Sequence, residues 1–326
     1  MMKIIMYQRQ PALFGRKKIV SNLLKIAIMI QTTAEIKARI VAKLLEQRKN
    51  FDGTDQQFAK QWEINYSVFS RIKSGETDGL LREAQWLNLG RELDVTASER
   101  KWNMARTDVY TMIEEDVSFC QAHAKGMMCV DDCGIGKSYS AKYLARTLKN
   151  CFYVDASQAK TKQVFIRLIA KTIGVDDKDK YVKVKANIKY ALKMLPNPMV
   201  IIDEAGDLEY SAFLELKELW NATVGACGWY LMGADGLRTA IERGISNKKV
   251  GYAEIFSRYS ERFSTIVPAE RSQKIAFYKK LITDVLTVNM TNKDRLNEIV
   301  KRCITNDANG HIGGLRRAES LLILNA

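Results

Sequence analysis

The residues best suited to chemistry in this chain are Gly134-Ile135-Gly136-Lys137-Ser138, a run built to hold a polyphosphate. Glycines at 134 and 136 let the backbone curl so that its N–H groups point inward at phosphate oxygens. The run lies between an apolar strand (127–130) and a helix (138–149), so the positive end of that helix faces the same anion. Lys137 would reach the β- and γ-phosphates and the Ser138 hydroxyl would coordinate Mg²⁺, with Ile135 and Tyr139 flanking these contacts. The strict pattern has a further glycine five residues before Gly136; here that residue is Asp131, followed by Asp132. Two carboxylates beside a phosphate weaken binding unless they turn away.

A second run supplies the other half of such a site. Met199, Val200, Ile201 and Ile202 lead directly into Asp203 and Glu204. A buried strand of this kind delivers Asp203 to the C-terminal edge of a sheet, where it would hold Mg²⁺ through water. Glu204 would then polarise a water for attack on the γ-phosphate. Alone, the run is any buried strand ending in a turn. In this order, with room between Lys137 and Asp203 for one further strand and its helices, the two motifs predict ATP and Mg²⁺ as ligands and hydrolysis as the reaction.

Other charged residues are candidates for completing the site. Arg258 and Arg262 stand four apart and are expected on one helical face, where a permanently ionised guanidinium could neutralise charge on a phosphate. Ion pairing on a surface helix is the plainer reading of that pair. Gly313-Gly314-Leu315-Arg316-Arg317 opens the last helix and would bring two more cations to the nucleotide. After strand-like residues 229–235, Asp235 is the polar group placed to sense the γ-phosphate.

Positioning these groups requires a sheet. From Thr107 onward a helix (107–124) is followed by strands at 127–130, 151–157, 199–205 and 229–235, with helices at 138–149, 162–173 and 210–222 between them. Strands alternating with helices predict an α/β fold, a parallel sheet with helices on both faces. The tail, 272–326, is helical by pattern, with Gly313-Gly314 separating two pieces. Ahead of the sheet, Thr33 can cap a helix over 34–47, Thr54 one to about Gln61, and Asn65 one from Tyr66 to Lys73 that Gly75 ends. Phe58, Ala59, Ile64, Phe69 and Ile72 are spaced to fill a small core, leaving Tyr66, Ser67, Ser70, Arg71 and Lys73 outward. This resembles a repressor-type helix-turn-helix, whose second helix enters the DNA major groove; one departure is Glu63, where the turn usually has Gly. A helical bundle used for protein contacts has the same pattern. Four stretches result: a basic arm or upstream-start extension (1–30), a helix-turn-helix domain (31–96), a P-loop core with its linker helix (97–268) and a helical lid (269–326).

Charge narrows the partners. The 326 residues carry 51 Lys+Arg against 37 Asp+Glu, and the first 50 alone hold 11 against 2. That asymmetry favours a polyanion, usually nucleic acid, over a solvated arm. No window approaches the ~20 apolar residues needed to span a bilayer. Six scattered cysteines do not make a disulfide framework, and with only His123 and His311 a zinc site is not expected. A soluble cytoplasmic protein, bacterial or phage-encoded and nucleoid-associated, is expected.

Taken together, residues 33–326 resemble AAA+ ATPases of the initiator-like branch, and with a helix-turn-helix in front they are similar to the phage Mu B transposition protein and the TnsC/TniB target-selection ATPases. The resemblance implies that Gly134, Gly136, Lys137 and Ser138 form Walker A and Asp203 and Glu204 Walker B. It also makes Arg258 the arginine finger acting on a neighbour's ATP, with Arg262 second, and Arg316 the sensor 2 residue. It implies a slow ATPase, stimulated by DNA or a partner, that self-associates on duplex DNA as an ATP-dependent filament and presents that DNA to a transposase. The DNA-facing candidates are loops after the second strand, with Lys160 and Lys162, then Lys178, Lys180, Lys183 and Lys185; a solvated lysine-rich helix face is the alternative for the second group. Two other readings stay open: a replication initiator or helicase loader, and a nucleotide-gated helix-turn-helix transcription regulator.

Overall fold

The computed structural model describes residues 32–51, 53–97, 102–305 and 312–324; the predicted arm, 1–30, and His311 lie outside them. The described residues fall into two compact units. One takes in those up to Leu45 and those from Trp62 to 97, the other Glu46–Gln61 and those from 102 onward.

In the first unit, helix α3 (Tyr66–Lys73) starts where Asn65 accepts the Ser67 N–H at 2.9 Å. Phe69 and Ile72 are buried, as is Trp86 of α4 (Glu83–Glu92), together with Ile40 and Leu44 of α1 (Ala34–Asn50). Glu83 accepts a 2.6 Å bond from the Thr32 hydroxyl. Helix α2 (Asp55–Gln61), the predicted first helix of the DNA-binding pair, belongs to the second unit, and Thr54 caps it as expected, its Oγ1 3.2 Å from the Gln57 N–H. Glu63 adopts φ 53°, the left-handed geometry that explains why glycine is usual at such a turn.

The second unit is built on a five-stranded sheet of β1 (Gly126–Val130), β2 (Cys151–Asp155), β3 (Met199–Asp203), β4 (Gly228–Gly233) and β5 (Phe263–Ser264). The order is β2-β3-β4-β1-β5 and every pairing is parallel. Strand periodicity of two assigns the apolar residues to two faces. Val200 and Ile202 of β3, with Trp229 and Leu231 of β4, pack on α7 (Lys162–Ile173), α8 (Tyr181–Met194), α9 (Tyr210–Ala222), α10 (Asp235–Ser246) and α11 (Tyr252–Arg258). Met199 and Ile201, with Tyr230 and Met232, pack on α5 (Asp108–His123), α6 (Lys137–Thr147) and α12 (Arg271–Asn289). Every residue of β3 and β4 is buried, which requires the near-continuous apolar runs the sequence has there. The C-terminal region has three helices where two pieces were expected: α12, α13 (Leu296–Ile304) and α14 (Leu315–Leu324) share a core of Ile282, Leu286, Ile299, Val300, Cys303, Ala318 and Leu321. Among the described residues no helix is long and apolar enough to cross a membrane.

At the start of β4 the sheet meets α5 with no space to spare: a Cβ on Gly228 would lie 2.5 Å from the Cys120 carbonyl oxygen. Gly228→Ala is expected to lose about 1–3 kcal/mol through overpacking, read as a lower urea midpoint at unchanged slope. Gly236→Ala, in α10 where nothing lies within 4 Å of the added carbon, is expected to keep or slightly raise the midpoint.

Candidate nucleotide-binding site

β1 ends at Val130 and α6 begins at Lys137, so the loop between them sits at the C-terminal edge of the sheet. Gly134 (φ 76°) and Gly136 (φ 100°) take left-handed conformations, whereas Asp131 does not, so that position has no need of glycine. Lys137 is 8% exposed, and its Nζ donates to the carbonyl oxygens of Asp131 and Asp132 at 2.8 and 2.7 Å. Ionised phosphate oxygens are stronger acceptors than these carbonyls.

The two acids at the loop entrance do turn away. The Asp131 carboxylate accepts the N–H groups of Asp132 and Val267, at 2.7 and 2.9 Å, and that of Ile266, which ties the loop to the chain leaving β5. Asp132 accepts from Tyr278 Oη at 2.9 Å and pairs with Lys274 Nζ at 2.6 Å, both on α12. Burial pushes the Asp132 carboxyl up, but hydrogen bonds from Lys274 and Tyr278, with the charges of Lys274 and Lys137, outweigh it and hold the group below the usual carboxylate range. The last helix docks on the same loop: Leu315 N–H donates to Gly134 O at 2.8 Å. A Cβ on Gly314 would stand 2.8 Å from that oxygen, so the approach requires glycine.

Asp203 ends β3, buried, its carboxylate accepting the Tyr153 hydroxyl at 2.8 Å and the Glu204 N–H at 3.0 Å. Glu204 holds φ 49°, a left-handed geometry uncommon outside glycine and frequent at functional sites. Partial burial, and then the neighbouring Asp203 charge, push its carboxyl up.

A cavity of about 270 Å³ joins these parts. Gly134, Ile135, Gly136, Lys137, Ser138, Tyr139, Glu204 and Arg316 all line it. Asp203, buried at 2% exposure, is not on the wall. Sequence reasoning missed another part of the wall. There Trp102, Asn103, Met104, Ala105 and Thr107 face Val285 of α12 and Glu319 of α14. Tyr139 Oη donates to Trp102 O at 2.9 Å, and Trp102 Nε1 to Glu319 at 3.3 Å. Asn103 exchanges bonds with Asn289, its N–H on Asn289 Oδ1 at 2.7 Å. The only local signal was Thr107, which caps α5 by accepting the Tyr110 N–H. A mainly apolar slot facing a phosphate cradle fits the base and ribose of a nucleotide, and Ser138, Asp203 and Glu204 are oxygen donors of the hardness Mg²⁺ prefers.

Four expectations need correction. Asp235 is not on the cavity wall, where Ala234 stands instead; it opens α10 with its side chain 89% exposed and turned toward Arg238. Arg258 and Arg262 do not share a helical face, because α11 stops at Arg258 and Ser260 and Glu261 turn left-handed before Arg262. Arg258 bonds Asn221 at 2.7 Å and stacks 5.0 Å from the Trp220 ring, away from the cavity. Lys185 is not a DNA-facing group. It is 15% exposed, clamped by Glu215 and Glu218 of α9 at 2.7 and 2.5 Å, so its charge is spent inside the protein. Last, Lys183 and Lys185 lie on α8 and not in a loop.

The remaining candidates are at the surface. Lys160 pairs with Asp207 at 3.0 Å, Lys183 with Asp179 at 3.3 Å, and Lys162 and Lys180 are exposed at the starts of α7 and α8. Tyr66, Ser67, Ser70, Arg71 and Lys73 are exposed on α3, Arg71 pairing with Glu76 at 2.6 Å.

Residues 121–241 match the family model described as AAA domain, a span from the end of α5 through the loop, β2, β3 and β4 into α10. The fold is α/β, of the P-loop AAA+ type. Among solved structures the chain is similar to the Aeropyrum pernix ORC1 protein in complex with DNA, at 16% identity and a TM-score of 0.49, over 68% of this chain and 59% of that one. This chain therefore spans less than two thirds of that protein's length. No curated protein matches it.

The Asp131 geometry can be checked by restoring the usual glycine. Asp131→Gly strips the acceptor from the Ile266 and Val267 N–H groups and is expected to cost about 1–3 kcal/mol in chemical denaturation. Nucleotide titration of the same variant should show no tighter binding, because the carboxylate already faces away from the loop.

Proposed function

We propose that the protein is an ATP-dependent, DNA-binding AAA+ ATPase that oligomerises on duplex DNA as a helical filament, delivers that DNA as target and activates a transposase. The observation that carries the nucleotide reading is the single cavity in which the P-loop, Glu204 and Arg316 meet. Loop N–H groups and the α6 N-terminus would hold the phosphates, and Lys137 would leave its two carbonyls for the β- and γ-oxygens. Ser138 and Asp203 would hold Mg²⁺, which neutralises phosphate charge. Glu204 would orient a water and take its proton, and Arg316 would bring the lid's charge to the γ-phosphate.

Arg258 stands away from its own cavity, as a group that completes a neighbouring copy's site must. On this reading nucleotide state and assembly are linked, which supports the filament. Lys160, Lys162, Lys178, Lys180 and Lys183 offer charge for tracking a phosphate backbone with little base readout, and the α3 surface offers a second DNA contact. The order of helix-turn-helix, P-loop and acidic strand end supports the transposition reading over others of the same core.

Two variants separate binding from turnover. Lys137→Ala is expected to lose ATP-dependent DNA binding. Glu204→Gln should still bind ATP and DNA while hydrolysing at least about 100-fold more slowly. Unchanged ATP-dependent DNA binding by Lys137→Ala defeats the proposal. Footprints confined to one palindrome would instead support a transcription regulator, and stable association with a replicative helicase a loader.

A further inference from the structure

Two lysines that no motif claims close the end of α10. Lys248 takes φ 51°, and the turn is fixed by Lys248 N–H to Ile245 O at 2.9 Å and Lys249 N–H to Gly244 O at 2.8 Å. This is the helix-ending arrangement whose left-handed residue is usually glycine, and a side chain there costs about 1 kcal/mol. A cation near a helix C-terminus gains about 0.3–1 kcal/mol from the helix dipole, but it can do so from an unstrained neighbouring position. A lysine at this site therefore has no need of its strained geometry for folding, and both Lys248 and Lys249 are exposed.

The turn is joined to the loop that precedes α7. Lys249 Nζ stands 4.1 Å over the ring of Tyr210, whose hydroxyl donates to Val250 O at 2.9 Å. Tyr210 opens α9, and the residue before it, Glu209, donates its N–H to Lys160 O at 3.0 Å. One strip of surface thus carries Lys160 and Lys162, then Glu209 and Tyr210, then Lys249 and Lys248. Lys160 neutralises Asp207 within it, and with Glu209 counted the strip keeps two net positive charges.

We infer that Lys248 and Lys249 extend the DNA contact surface, so that a phosphate backbone crosses the start of α9 from Lys162 to Lys248 with Tyr210 as the fixed point between them. The inference rests on the DNA-binding reading above and says which surface of the AAA+ domain faces the duplex. Tyr210 anchors Lys249 and the turn, while Lys248 projects as a flexible point charge suited to phosphates and indifferent to sequence.

The test uses the full chain, a non-hydrolysable ATP analogue and a random-sequence duplex, with affinity measured across salt concentrations. Lys248→Gly is the informative variant, because glycine is at ease in that backbone. Its Tm should be no lower than that of the unaltered protein and its ATP affinity unchanged. Its DNA affinity should fall several-fold, and the slope of log K against log salt should shrink by about 0.9, the value for one lost phosphate contact. Adding Lys249→Gln should remove a further contact, for about 1.8 in all. A salt slope unchanged in both variants overturns the inference while leaving the DNA-binding reading intact, and a fallen Tm with that unchanged slope would assign the lysine to the fold. Absence of ATP-dependent DNA binding by the unaltered protein defeats the functional reading itself, and this inference falls with it.

Discussion

The ammonium of Lys137, a residue only 8% exposed, rests on two main-chain carbonyls, and the edge of the sheet is arranged around it. The hydrogen-bond partners of this buried cation are carbonyl dipoles, weaker acceptors than an anion. A phosphate oxygen would be a stronger partner for it. The carboxylates nearest in sequence, Asp131 and Asp132, might be thought to pair with it, yet both are committed elsewhere, to the chain after β5 and to α12. That division of labour leaves the Lys137 ammonium hydrogen-bonded to carbonyls and not to the two acids at the entrance.

The same division connects the loop to everything that closes over it. Asp132 offers its carbonyl to Lys137 and its carboxylate to Lys274 and Tyr278, while Gly134 accepts the first N–H of α14. A ligand that draws Lys137 away would thus act on residues that hold two C-terminal helices, α12 and α14. On the far side, Trp102 is bonded both to Tyr139 after the loop and to Glu319 of α14. Residues 102–107, the loop and α14 form one contiguous wall.

Sequence legibility followed the range of the interactions. The loop, its flanking strand and helix, and the acidic end of β3 are local patterns, and helices α7 and α9 have the bounds their periodicity predicted. What could not be read depends on partners far along the chain. Lys185 looks like a surface charge until Glu215 and Glu218 of another helix close on it. Arg258 and Arg262 look coplanar until Ser260 and Glu261 take left-handed geometry that neither residue type announces. Tyr153 reaches Asp203 only because the parallel register sets β2 beside β3, and the two residues of β5 are too short to show a period. The part of the cavity lined by Trp102 to Thr107, Val285 and Glu319 is made by segments more than a hundred residues apart, so no spacing could reveal it.

The central claim, that nucleotide occupancy switches assembly on DNA, is tested most directly by negative-stain electron microscopy of the full chain with duplex DNA, with and without a non-hydrolysable ATP analogue. Regular filaments that coat the DNA are expected with the analogue and not without it. Single particles at isolated positions, closed rings, or filaments indifferent to nucleotide would contradict it.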